Sequence, residues 1–315
     1  MTFDEFIKQF ATEEQCREYL YNLRWPNGFV CPKCNEQTKA WLKARNVYEC
    51  SLCAYQASVT AGTVFQDTRK SLRAWFIAIW WITTQKNGAS ATGLQQVLGL
   101  SSYQTAWTWL HKIRTAMVNP NRVKLSGDVE VDETYIGGEE SDGKRGRGTD
   151  NKVLVVIAVE LESKVKGKKG RRTMGRARIQ VIPDASGQSL HDFIKNNVEP
   201  GSTVITDGWR GYSSLGNCGF NHVVLTKQET DDDKCLLPHV HLLASLLKRW
   251  LLGTHQGAVQ DIHMQAYLDE YVFRFNRRNS VKRGLLFYRL LETAMMIPPT
   301  TYKSLISQDF QVLRE

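Results

Sequence analysis

Four cysteines fall into two C-x2-C pairs, Cys31-Pro-Lys-Cys34 and Cys50-Ser-Leu-Cys53, with fifteen residues between them. Each pair can set two thiolates at a tight turn. Two such turns brought together offer tetrahedral S4 ligation, which Zn²⁺ prefers in a closed structural site. The segment from Thr38 to Tyr48 suits the hairpin that would join them. A block this small buries too little core to fold alone, so metal binding would supply its folding energy. Cys16, Cys218 and Cys235 have no partner at metal spacing and read as ordinary residues. Two acids carry a second chemistry. Asp132 lies in Asp128-Val-Glu-Val-Asp132-Glu-Thr-Tyr-Ile136, whose alternation marks a strand with acids 128, 130 and 132 on one face. Asp207 ends the strand-like Thr203-Val-Ile-Thr206 and is followed by Gly208. An acid at the C-terminal end of a parallel strand stands where open α/β sheets bind ligands. Two carboxylates held close repel unless a cation lies between them. Mg²⁺ and Mn²⁺ prefer oxygen ligands. Two such ions about 3.5–4 Å apart can activate an attacking hydroxyl and stabilise the leaving oxygen in phosphodiester transfer.

Several elements must position these acids. Val153 to Val159 is a continuous apolar run and reads as a central strand; Ala177 to Ile182 gives a third strand. Ser189 to Asn196 reads as a short helix, and Asn221 to Leu225 as a fifth strand. Val240 to Leu252 is an amphipathic helix with Leu242, Leu246 and Leu252 among its apolar positions. Three strands, a helix, a strand, a helix, a strand and a helix form the ribonuclease-H-like order. The expected class is therefore α/β, a mixed sheet flanked by helices, over residues 123–315. Residues 1–66 hold a short helical pattern followed by the cysteine block. Residues 67–122 read as helices. Within them, Ala91 to Arg114 reads as helix, Gly99 turn, helix, with Ser101 or Ser102 as N-cap of the second. That outline fits a helix-turn-helix, with Tyr103, Gln104, Thr105 and His111 able to read bases, and equally a plain pair of packed helices. Its tryptophans read as core.

The chain has 315 residues, 42% apolar and 23% charged, with 41 Lys and Arg against 32 Asp and Glu for a net charge of +9. A packed core is feasible, and the sign of the charge favours a polyanionic partner such as double-stranded DNA. Between Gly143 and Arg178 stand twelve basic and three acidic residues, a surplus equal to the whole net charge. Two Gly-punctuated basic stretches, Gly143 to Gly148 and Lys164 to Arg172, read as loops at strand ends, either solvated or in contact with phosphates. The longest apolar run, Trp75 to Ile82, is far shorter than the roughly 20 residues of a membrane span. No leader pattern opens the chain, and seven cysteines is an odd number with four in one metal-like cluster. A cytoplasmic protein is expected.

Nearly the whole chain resembles the zinc-ribbon DDE-type transposases of bacterial insertion sequences. The resemblance rests on the two cysteine pairs, on Val129-Glu-Val-Asp132-Glu-Thr-Tyr-Ile-Gly-Gly138, on Val204-Ile-Thr-Asp207-Gly-Trp-Arg-Gly-Tyr212, on His241 to His255, and on Tyr267 to Arg278. It implies metal-dependent cleavage and joining of DNA strands at the inverted-repeat ends of a mobile element. It further implies a homo-oligomer on DNA and a nucleoid-associated location. Asp132 and Asp207 match the first two catalytic acids. The third member is commonly a Glu seven residues before a Lys on the following helix; Lys248 matches that Lys, and His241 stands in the Glu's place. Seven residues is almost two helical turns, so His241 and Lys248 share a face. Neutral imidazole can bind a divalent ion or orient water, but adds no negative charge. Glu270 on the last helix is the alternative third ligand, with Glu229 and Asp231 to Asp233 read as a loop. Lys248 would contact a phosphate near the scissile bond. His239, His255 and His263 match no tight chelate, and Arg274 to Arg278 reads as a DNA-facing surface or a structural cap. Two other readings remain beside the active transposase: an inactive DNA-binding descendant, and a metal-dependent nuclease or resolvase outside any mobile element.

Overall fold

The computed structural model describes residues 2–137, 152–162, 172–226, 235–256, 259–281 and 284–307. The basic stretch from Gly143 to Gly148, all of the second stretch except Arg172, and Glu229 with Asp231 to Asp233 lie outside the described residues. The chain divides into two compact units, Met1–Asn119 with Ser280–Glu315, and Pro120–Asn279.

The first unit opens with two short helices, α1 (Phe3–Gln9) and α2 (Glu13–Arg24), each started by a capping box, Thr2 with Glu5 and Thr12 with Gln15. Such reciprocal caps satisfy orphan N–H groups and stabilise a helix start by about 1 kcal/mol. Three short strands follow, β1 (Ala40–Leu42), β2 (Val47–Cys50) and β3 (Gln56–Ser58), in an antiparallel sheet of that order. The hairpin expected between the cysteine turns is the β1–β2 pair. Helix α3 (Leu72–Thr84) is capped from a distance: the Glu13 carboxylate accepts from the Leu72 and Arg73 amides at 2.7 and 3.0 Å.

Helices α4 (Ala91–Leu98) and α5 (Tyr103–Thr115) form the expected corner, with Gly99 left-handed at φ 59° and the Leu100 amide donating to the Gln95 carbonyl. Ser102 occupies the N-cap position of α5 but gives no side-chain cap. Trp75 and Trp109 stack at 3.9 Å as core, worth about 0.5–1.5 kcal/mol beyond their burial. His111 is fully buried, which removes it from the candidate base-reading residues, whereas Tyr103 and Gln104 are exposed. The C-terminal helices α9 (Leu285–Ala294) and α10 (Tyr302–Ile306) belong to this unit. The domain expected over 123–315 thus gives up its tail. The cause is aromatic: Phe287 of α9 meets Phe6, Phe10 and Phe76 at 5.6, 5.5 and 5.8 Å.

The second unit is a five-stranded mixed sheet. Its strands are β4 (Asp128–Gly137), β5 (Lys152–Glu162), β6 (Thr173–Val181), β7 (Thr203–Thr206) and β8 (Asn221–Val224), in spatial order β6-β5-β4-β7-β8. The first three strands run antiparallel, and β7 and β8 add parallel to β4. With α6 (Gly187–Asn197) on one face and α7 (Pro238–His255) and α8 (Met264–Phe275) on the other, this is the expected ribonuclease-H-like mixed sheet flanked by helices. Alternation along β4 sorts its residues. Val129 and Val131 pack with Leu190, Phe193 and Ile194 of α6, and Ile136 packs on the α7 side. The buried stripe of α7 is Val240, Leu243, Leu247 and Leu251. Leu242 and Leu252, expected among the packing positions, are exposed. Leucines recur so densely along this helix that composition leaves its inward face open; the sheet decides it.

Candidate active site

The cysteine site is built by two matching turns. Asn35 donates to the Cys31 carbonyl and Ala54 to the Cys50 carbonyl, at 2.9 and 3.1 Å. The Cys31 amide reaches the Glu36 carbonyl as the Cys50 amide reaches that of Tyr55. Asn35 and Ala54 are both left-handed, at φ 58° and 54°. Asn tolerates that region, whereas for Ala it costs roughly 1–2 kcal/mol. The four Sγ atoms all lie within 4.8 Å of one another. Cys31 and Cys53 are 3.6 Å apart, Cys34 and Cys50 3.9 Å. Burial pushes the Cys31 thiol up, but N–H groups of Cys34 and Lys33 outweigh it and bring it down to about 6. The Glu36 amide lowers the Cys34 thiol, but burial and bonding to the neighbouring sulfurs outweigh it and push it up to about 12. Four free sulfurs this close are a donor set suited to a tetrahedral metal.

The acidic site is assembled from three elements. The register Glu130↔Ile205 between β4 and β7 sets Asp132 beside Asp207 at the end of the shorter strand. His241 comes from the first turns of α7, and its Nε2 lies 2.9 Å from Asp132 Oδ2. Burial raises the Asp132 carboxyl, His241 lowers it, and the charge of Asp207 raises it again. His241 and Asp132 are in hydrogen-bond contact, and the charge of Asp207 reaches Asp132. Asp207 Oδ1 accepts from the Trp209 amide at 2.9 Å, which turns the chain directly after the acid. Lys248, two turns along α7, donates to Thr134 at 2.9 Å. Burial lowers its ammonium, helped by Lys152. A pocket of about 240 Å³ opens here, lined by residues including Asp132, Glu133, His241 and Ala244. His241 remains about half exposed, at 52%. Carboxylate oxygens with one imidazole are a donor set that fits a hard divalent cation.

Other candidates are placed elsewhere. Glu270 is 1% exposed and its carboxylate is taken by Arg274 at 2.8 Å, so it does not line this pocket. Arg278 donates to the carbonyls of Met174 and Gly175, and Arg277 stacks on Phe273; the arginine cluster caps β6 and α8. Three groups at the site went unrecognised. Glu130 holds the amides of His239 and Val240, both at 2.9 Å. Tyr212 donates to Glu133 at 2.8 Å, which ties the segment after Asp207 back to β4. Cys235 Sγ lies 2.9 Å from His241 Nδ1. Sequence parity marked Asp128 and Glu130 as sharing a face with Asp132, but nothing local to the strand says what faces them.

Comparison with known proteins bears on both sites. Residues 124–276 match the family described as ISXO2-like transposase domain, spanning the second unit almost end to end. Residues 11–56 match the transposase zinc-ribbon domain. The chain is 26% identical over 314 residues to the uncharacterized protein in transposable element ISH50 of Halobacterium salinarum, covering 92% of this chain and 99% of that protein. The catalytic core domain of BIV integrase overlaps 49% of this chain and 86% of its own, at 16% identity and a TM-score of 0.32. Among the described residues no helix is long and apolar enough to cross a membrane. The chain thus joins a region that matches the transposase zinc-ribbon domain to a second unit that matches the ISXO2-like transposase domain.

Proposed function

We propose that the protein binds the inverted-repeat ends of an insertion sequence and catalyses divalent-metal-dependent cleavage and transfer of DNA strands. The observation that carries this reading is the contact of His241 with Asp132, 2.9 Å apart, in the middle of β4 beside the β7 end that leads into Asp207. These three would hold Mg²⁺ or Mn²⁺. Bound there, the cation would activate the attacking hydroxyl and stabilise the leaving oxygen. The remaining work falls to the chain. Asp132 and Asp207 supply the negative charge that draws a cation to a polyanionic substrate. Half-exposed His241 presents its imidazole to the same point. Lys248, on the same face of α7 and partly freed from water, is placed to meet a phosphate oxygen near the scissile bond. Cys31, Cys34, Cys50 and Cys53 would hold Zn²⁺ as a structural ion. The ribbon over residues 1–66 and the helical region over 67–122 would engage the ends, and synapsis of two ends would call for a homo-oligomer on DNA.

The test is cleavage and joining on a fragment carrying the flanking inverted repeat, with Mg²⁺ or Mn²⁺, for wild type and Asp132→Ala. Metal-dependent products lost in the variant support the reading. A second reading is favoured by one observation: His241 brings no carboxylate where a third acid is usual. In it the chain is an inactive DNA-binding descendant. Tight end binding by the wild type without products would select that reading.

A further inference from the structure

We propose that Glu130 is the positioning residue of this site: by capping α7 from the middle of β4, it fixes where His241 stands over Asp132. The inference rests on the metal-ligand reading of Asp132 and His241.

Helix α7 lacks a cap of its own. Its N-cap residue is Leu237, which offers no side-chain acceptor, and Pro238 at its start has no amide hydrogen. The first amides needing partners are those of His239 and Val240. Both donate to one oxygen, Glu130 Oε2, at 2.9 Å each. The other oxygen, Oε1, lies 2.7 Å from His239 Nδ1. Glu130 is 4% exposed, so its charge is stripped of water. Two amides, an imidazole and the positive end of a helix offset that cost.

A cap supplied by a neighbouring residue fixes only where a helix begins. A cap supplied by β4 also fixes where the helix sits on the sheet. Glu130, Asp132 and Thr134 share one face of β4, and their partners follow in order along α7: the amides of residues 239 and 240, then His241, then Lys248. A slip of one residue would turn α7 by about 100° and carry His241 off Asp132. Glu130 does not itself line the pocket and makes none of these bonds to Asp132; it acts through the helix.

Reach, not charge, is the property at stake, and two mild substitutions separate them. Glu130→Gln keeps the length and an acceptor oxygen for both amides. Glu130→Asp keeps the charge but is one methylene too short. The measurement is Mn²⁺ binding to the zinc-loaded full chain, by the spin resonance of free Mn²⁺, together with the ring-nitrogen resonances of His241 in the Mn²⁺-free chain. We expect Glu130→Asp and Glu130→Ala to weaken Mn²⁺ binding roughly 10- to 100-fold and to move the His241 resonances. Glu130→Gln should stay near wild type on both. A purely structural role would lower thermal stability yet leave Mn²⁺ binding by the folded protein unchanged, and that result overturns the proposal. Loss with Glu130→Gln and none with Glu130→Asp would make charge the operative property and overturn it equally. Should Glu130→Ala not fold, the Gln and Asp variants decide alone. Asp132→Ala is the separate control. If it binds Mn²⁺ like wild type, the metal-ligand reading fails, while the His241 resonances still report whether Glu130 positions the ring.

Discussion

The ribbon and the acidic site are both sets of would-be metal ligands, and they are built in opposite ways. The ribbon repeats one local device. Each cysteine pair makes the same turn with the same backbone bonds, and a left-handed residue follows each second cysteine. All four sulfurs come from 23 consecutive residues. The acidic site draws on β4, the end of β7 and the first turns of α7, with 109 residues separating Asp132 from His241. Short-range hydrogen bonds shape the first site and wait for a metal to close it. Burial of a sheet face shapes the second, and its geometry stands on the packing of α7. One should fail when its ligand is removed, the other when its supports move.

The largest effect expected is at the acids. Asp132→Ala or Asp207→Ala should reduce strand cleavage on the order of a thousandfold or more, since metal-borne transition-state stabilisation amounts to several kcal/mol. Binding of end DNA, measured alongside, should barely change; loss of binding in both variants would refute the ligand assignment. Next comes the ribbon. Cys31→Ser should release zinc and unfold residues 25–66, because metal binding in such sites supplies on the order of 10 kcal/mol of folding free energy. Metal analysis and limited proteolysis would read this, with the sheet of the second unit left protected. Unchanged zinc content would break the comparison at its first term.

The supports of the acidic site come third. Leu247→Ala should destabilise the second unit by about 2–5 kcal/mol, as a buried leucine of the stripe facing the sheet. Leu242→Ala, on the exposed face of the same helix, should stay within about 0.5 kcal/mol. Urea unfolding measures both, and equal losses would contradict the face assigned to α7. His241 gives the finest distinction. His241→Ala should raise the Mn²⁺ concentration needed for half-maximal cleavage, roughly 10- to 100-fold if ligand loss resembles loss of a supporting partner. His241→Glu should hold or raise activity. An unaffected His241→Ala enzyme would remove the residue from the site.

Much of this was legible beforehand. The alternation of Val129-Glu-Val-Asp132 put its acids on one face, and the strand–Asp207–Gly pattern put the second acid at a strand end. Both follow from the two-residue period of a strand, which any side chain obeys. Three features were not legible. Leu242, Leu246, Leu247 and Leu251 are chemically alike, so only the position of the sheet selects which are buried. His111 looked available for base reading because it is polar; packing in the corner buries it. The C-terminal helices were counted with the catalytic domain, since nothing in Leu285–Ala294 names the Phe6, Phe10 and Phe76 partners of Phe287.

By itself, the sequence determined the parts whose cause lies within a few residues. These are the two cysteine turns, the helix caps at Thr2 and Thr12, the faces of β4 and the acids those faces carry. Backbone hydrogen bonds and side-chain periodicity reach no further than that. Tertiary structure alone decided what meets them: Glu130 under the start of α7, His241 on Asp132, Lys248 on Thr134, and Tyr212 on Glu133. Those pairings follow from burying apolar area across elements far apart in the chain. That force is proportional to area and blind to residue identity, so it must be folded before it can be read.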